Sequence, residues 1–198
     1  MSTIPTLTYF NGQGKAESIR LILTYLNIEF NDVRVESVTP ELKATLTYGQ
    51  LPFYQDGDFK LAQSAAIARY IALKNDFAGK SIEEKVLADA SNDSLWDVII
   101  AIFRSRDQTD ADKEKVKSVT IPTFLGAWEK NLEKNEFVAG GDSLTYADIS
   151  LFAALDYLPK LGFADAIETY PKLKEFKAKI ANIPSIKQYL EKRPDTKF

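Results

Sequence analysis

The chain has 198 residues, 45% hydrophobic content and a formal net charge of −3 from 25 basic and 28 acidic side chains. It can therefore bury sizeable cores, and it offers no basic surplus for nucleic acid or anionic membranes. Cysteine and histidine are both absent, which excludes disulfides, thiolate or imidazole metal sites, cysteine nucleophiles and Ser-His-Asp triads. What remains for chemistry is hydroxyls, carboxylates, amides, Lys, Arg, the backbone, or a reactive group carried by a ligand.

The opening MSTIPTLTYF has no basic segment leading into a long apolar run, and VIIAIF covers only 98–103. No stretch approaches the length of a membrane span. A soluble, cytoplasmic protein is the expectation.

In chain order, TLTYF (6–10) alternates as a strand does, and NGQG (11–14) follows as a loop. From Lys15 onward, Ile19, Ile22, Leu23 and Leu26 mark one face of a helix. FNDVRVE (30–36) alternates again, completing a βαβ unit with a right-handed crossover. PELKATL (40–46) reads as a short helix with Pro in its first turn. FYQDGDFKL (53–61) reads as a hairpin turning at Asp56-Gly57-Asp58, and SAAIARYIALKND (64–76) as a helix capped by Ser64.

The texture changes near DFAGKSIEEK (76–85), which reads as a linker. Beyond it helical patterns dominate: 82–106, about 112–135, 145–158, 171–182 and about 185–191. Pro122 is expected to kink or interrupt the second of these. In SLTYADI, Thr145 and Asp148 form a capping-box pair with Leu144 and Ile149 as the staple, a folding signal and not a chemical one. The fold class is thus an α/β N-terminal thioredoxin-like domain (βαβ-α-ββα, residues 1–78) followed by an all-α C-terminal domain (82–198). Thioredoxins place a cysteine pair after the first strand; here Tyr9, Phe10 and Asn11 stand there, so any thiol must come with the ligand.

Four segments, LTYFNGQGKAESIRLIL, YGQLPFYQDGDFKLAQSAAIARY, SLTYADISL and RPDTKF, resemble in order the motifs of the cytosolic glutathione transferases, closest to the sigma class with features of pi and alpha. The resemblance covers nearly the whole chain. It implies a homodimeric enzyme, with glutathione as co-substrate and no metal, that joins glutathione to small hydrophobic electrophiles in detoxification. Catalysis falls to Tyr9, whose hydroxyl stabilises the glutathione thiolate. A free thiol has a pKa of about 8.5, so roughly two units, or about 2.7 kcal/mol, must be supplied. One hydrogen bond to a charged group contributes about 1.5–3 kcal/mol. Without the motifs, Tyr9 reads as a core tyrosine with its hydroxyl at the surface.

The same resemblance implies glutathione contacts at Lys15, Lys43, Gln50, Leu51, Pro52, Gln63 and Ser64, with Asp97 reaching over from the partner subunit. Pro52 is expected to be cis, turning the Leu51 backbone toward an extended ligand as an added strand would pair. Ser64 can act as a plain helix cap, or receive a carboxylate at the helix N-terminus, or both. Lys15 stands where many relatives carry Arg, and Thr39 where sigma members often carry Trp. Tyr48 resembles an aromatic that some classes insert into the partner. Phe10, Arg104 and Phe198 are expected to border the electrophile pocket. Arg104 and Trp96 replace residues found in family members that isomerise prostaglandins, which disfavours a dedicated isomerase of that kind. The alternatives kept open are a glutathione-dependent isomerase or peroxidase, and a non-catalytic structural or binding protein of the same fold.

Overall fold

The computed structural model describes residues 4–196, so Phe198 lies outside the described residues. Strands Thr6–Phe10 (β1) and Asn31–Val35 (β2) pair in parallel, with Tyr9 opposite Arg34. They are joined by helix Glu17–Tyr25 (α1), on which Ile19, Ile22 and Leu23 are fully buried. Strand side chains alternate, so Leu7 and Tyr9 share the inner face of β1.

Helix Pro40–Thr45 (α2) begins on Thr39, whose hydroxyl accepts the Leu42 N–H at 3.3 Å. Strands Phe53–Asp56 (β3) and Phe59–Ala62 (β4) make an antiparallel hairpin around Gly57 and Asp58. Gly57, at φ +61°, supplies the first central position of a two-residue turn. β3 also pairs antiparallel with β1, giving the sheet order β2-β1-β3-β4 with β1 inside. Helix Ser64–Lys74 (α3) follows.

The rest of the described chain is helical: Ile82–Ser105 (α4), Asp110–Lys115 (α5), Ile121–Leu132 (α6), Tyr146–Tyr157 (α7), Pro171–Ala181 (α8) and Pro184–Lys192 (α9). The helical run expected over about 112–135 is interrupted next to Pro122, as expected. α5 and α6 are joined by a π-helical turn, Val116–Thr120, so the irregularity lies before Pro122, which sits in the first turn of α6. A proline ring collides with the carbonyl four residues back, here Ser118, and the wider π turn contains that residue.

α7 is central. Ten of its twelve residues are buried, including Tyr146, Ile149 and Phe152, as befits a helix apolar nearly all round. The capping box expected at its start is present: Asp148 accepts the Thr145 N–H (2.8 Å) and hydroxyl (3.0 Å), and also the Val138 N–H (2.9 Å). α1 and α4 both pack on α7. Tyr9, Ile19 and Ile22 therefore share one continuous core with Leu95, Val98, Ile149 and Phe152, and the loop after β1 is clamped between sheet and helices.

Candidate active site

Tyr9 is 9% exposed, near the end of β1. Its ring meets Phe10 edge-on at 5.4 Å, and the Arg20 guanidinium lies 6.0 Å from its centroid. The Tyr9 hydroxyl oxygen accepts the Lys15 backbone N–H at 3.1 Å. Burial pushes its pKa above the ordinary tyrosine value, opposed by the Lys15 N–H and the Arg20 charge. At neutral pH the group is a phenol, with an N–H already on its oxygen and its own proton free to be donated.

Gly14 makes this approach possible. At φ +39°, a Cβ there would sit 2.6 Å from the Tyr9 hydroxyl oxygen and 3.1 Å from a ring carbon. The loop is also held by Arg20, which is fully buried and donates to the Gly12 carbonyl at 2.6 Å. In the sequence Gly14 is one more loop glycine; the signal that distinguishes it is its place just before the helix that follows the tyrosine strand.

The second half of the site comes from the Gln50–Ser64 stretch. The Leu51-Pro52 bond is cis, as expected, with Pro52 buried and Leu51 half-buried beside it. Gly49 packs under Lys43: its Cβ, at φ +63°, would lie 3.1 Å from Lys43 Cε. α2 therefore brings Lys43 against Gly49, and both Lys43 and Gln50 are exposed.

The expectation that Ser64 caps α3 is corrected. Ser64 is buried and already the first helical residue, while Gln63 holds the cap position at φ 74° and ψ 113° without a side-chain capping bond. A capping side chain must precede the first free N–H groups, and from inside the helix Ser64 lies beside them. Gln63 is exposed, with a positive φ that non-glycine residues rarely adopt. No pattern in the sequence marks that strain.

Lys15 is half-buried near Tyr9, and Asp97 is exposed on α4 while Leu95 and Val98 face inward. Phe10 is half-buried against Tyr9. Arg104 is exposed and does not line the pocket next to Gly14. That pocket lies between Gly14, Glu17, Trp96, Ile99, Ser150 and Tyr157 among others. The hydroxyls of Ser150 and Tyr157 are buried in it without a partner among the described residues, and burial raises the Tyr157 pKa. Ser150 and Tyr157 lie inside a correctly expected helix, but their facing depends on α7 packing that periodicity does not reveal. Among the described residues, no group of three or more acidic residues could hold a metal ion, and no helix is long and apolar enough to cross a membrane.

A mixed four-stranded thioredoxin-like sheet, a cis-proline at the start of β3 and an all-helical second part define a thioredoxin-like protein with a helical extension. Comparison with known families matches residues 5–73 to the glutathione S-transferase N-terminal domain and 93–193 to the glutathione S-transferase C-terminal domain. A Dictyostelium discoideum protein provisionally named glutathione S-transferase alpha-2 is 37% identical, covering 100% of this chain and 98% of the relative. The structure of rat hPGDS complexed with a quinoline superposes with a TM-score of 0.89 at 32% identity, covering 99% of this chain and 100% of that one. Na-GST-3 of the hookworm Necator americanus, a glutathione S-transferase described as monomeric, gives 0.87 at 33% identity, with 99% and 100% covered. The chain belongs to the glutathione S-transferase family.

Proposed function

We propose that the chain is a cytosolic glutathione transferase in which Tyr9 activates the thiol. The observation that carries this reading is the Tyr9 hydroxyl: buried, protonated at neutral pH, and with the Lys15 N–H at 3.1 Å already on its oxygen. Such a phenol is a donor and not a base. Its proton stabilises a thiolate within hydrogen-bond reach by about 1.5–3 kcal/mol, most of the roughly two units needed to ionise a thiol at neutral pH. The thiolate sulfur then bonds to an electrophilic carbon and the leaving group departs with the electron pair.

In this reading the Leu51 backbone, turned by Pro52, pairs with the cysteinyl unit of glutathione. Gln63 and Ser64 receive the γ-glutamyl carboxylate at the start of α3. Lys43, packed on Gly49, and Gln50, the next residue along, face the glycyl end, and Lys15 adds positive charge near the sulfur. The pocket behind Gly14, with its apolar wall of Leu95, Ile99 and Ala153, suits small hydrophobic electrophiles.

Asp97, exposed on α4, reaches a partner's γ-glutamyl ammonium if two copies pair about a twofold axis. Tyr48, Leu73, Ile82, Val86 and Leu87, all more than half exposed, support such a pairing, while the described monomer of Necator makes the assembly a point to measure. Sedimentation of the purified chain with and without Tyr48→Ala tests it: a dimer weakened by the substitution supports the pairing. The RPDTKF tail and the likeness to rat hPGDS support sigma-type placement; the Dictyostelium relative carries an alpha name. That likeness also favours a second reading, glutathione-dependent isomerisation, which uses the same thiolate without consuming it.

Conjugation of glutathione to a chloronitrobenzene tests the first reading. Turnover above background that falls tenfold or more in Tyr9→Phe supports it. Tight glutathione binding without turnover on this or any isomerisation substrate would instead indicate a non-catalytic member of the family.

A further inference from the structure

The tail motif RPDTKF resembles a class signature, yet none of the proposed contacts uses its arginine. Arg193 follows α9, with its side chain 17% exposed. One nitrogen donates to Glu17 of α1 at 3.0 Å, and the other to Asp156 of α7 at 2.6 Å. Glu17 is nearly buried, at 4% side-chain exposure, and also accepts from Arg20 at 3.3 Å and from the Tyr189 hydroxyl at 3.2 Å.

Followed outward, these contacts form an alternating chain of charges. Arg34 pairs with Asp32 at 2.8 Å, Asp32 with Arg20 at 3.0 Å, Arg20 with Glu17, Glu17 with Arg193, Arg193 with Asp156, and Asp156 with Lys177 at 3.6 Å. It runs from β2 through α1 and the tail to α7 and α8, linking sheet to helical part. Two of its members touch the site. Arg20 lies over the Tyr9 ring and holds the Gly12 carbonyl. Glu17 lines the pocket beside Gly14, whose lack of a Cβ leaves room for the Tyr9 hydroxyl.

This places a buried carboxylate in the wall of the pocket beside Gly14, against which the Tyr9 hydroxyl packs; a thiolate held by that hydroxyl would be a second negative charge at the same pocket. Unopposed, the carboxylate would disfavour ionisation. Arg20 is shared with Asp32 and Arg193 with Asp156, so offsetting Glu17 takes both guanidiniums. We propose that Arg193 is a positioning residue for thiol activation: it neutralises Glu17 from the C-terminal tail, so that the pocket behind Tyr9 does not repel the glutathione thiolate. This rests on the proposed role of Tyr9. The other charged or titratable groups around Glu17 and the pocket are Lys15 on the loop, Tyr157 on α7, Tyr189 on α9 and Arg106 beyond α4, which acts on Tyr157.

The test is the pKa of the bound glutathione thiol, read by ultraviolet thiolate absorbance and by the pH profile of kcat/KM. Arg193→Gln is expected to raise it by about half a unit to one unit, the order of effect of one uncovered charge in a partly screened site. The thiolate fraction below the pKa then falls about three- to tenfold. Glu17→Gln alone is expected to shift it the opposite way, Glu17→Gln with Arg193→Gln to restore the wild-type value, and Arg193→Lys to keep it. Opposite signs and mutual rescue are what a merely structural contact would not produce. An unchanged thiol pKa in Arg193→Gln, or a double variant no better than the single one, overturns the proposal. Should Arg193→Gln fail to fold, Glu17→Gln and Arg193→Lys still decide it: loss of the downward shift in the first, or an upward shift in the second, refutes it. Tyr9→Phe measured alongside separates the two readings, since no effect there would count against Tyr9 itself.

Discussion

Replacing Gly14 by alanine adds a single carbon at the point where the site is tightest. The new Cβ would stand 2.6 Å from the Tyr9 hydroxyl oxygen and 3.1 Å from its ring, so one partner must move by about 0.8 Å to reach ordinary contact. The ring has little freedom: it is packed against Phe10, and the hydroxyl is tied to the Lys15 N–H. The backbone cannot absorb the change either, since φ +39° at position 14 costs a non-glycine residue about 1–2 kcal/mol. A misplacement of this order in a catalytic group lowers rates by about 10²-fold. The expected outcome is a stability loss of about 1–3 kcal/mol by urea unfolding and a fall in kcat/KM for conjugation of about 10- to 100-fold, with glutathione affinity changed much less. Wild-type kcat/KM in a folded Gly14→Ala protein would refute the reasoning, because Tyr9 would then tolerate being pushed aside.

Gln63→Gly removes the positive-φ strain at the start of α3, so its melting temperature is expected to match or exceed wild type while glutathione affinity, measured by calorimetry, falls about threefold or more. Glu129→Ala removes the carboxylate that accepts the Lys172 and Leu173 N–H groups, both at 2.9 Å, at the start of α8; a loss of about 1–3 kcal/mol is expected by chemical denaturation, with activity per folded molecule unchanged. Burial raises the hydroxyl pKa values of Tyr9, Tyr54, Tyr146 and Tyr189. The folded chain therefore keeps protons that the unfolded chain releases near pH 10, and stability is expected to be intact below that pH and to fall above it. Absorbance titration of tyrosinate should show these groups ionising only as the protein unfolds.

Much of the architecture is legible in the sequence because its local signals agree. Ile19, Ile22 and Leu23 mark the buried stripe of α1, Gly57 marks the hairpin, and Thr145 with Asp148 marks the start of α7. Tyr9, Leu51, Pro52 and Lys43 stand out through the motifs that surround them. What escapes depends on contacts remote in sequence. α8 has no side-chain cap of its own because Glu129, more than forty residues earlier, supplies one. The π turn before Pro122 answers a collision inside the helix and not a change in residue pattern. Gly14 and Gln63 matter through backbone angles that composition leaves open. Glu17 and Arg193 are two ordinary surface charges in the sequence, and only the fold sets them 3.0 Å apart beside the pocket.

The central claim is that the Tyr9 proton stabilises a glutathione thiolate, and the thiol pKa of bound glutathione measures it directly. The wild-type complex is expected to ionise about one to two units below the free thiol value of about 8.5, and the Tyr9→Phe complex to return most of the way to it. Equal thiol pKa values in the two complexes, with glutathione bound to both, would contradict the account.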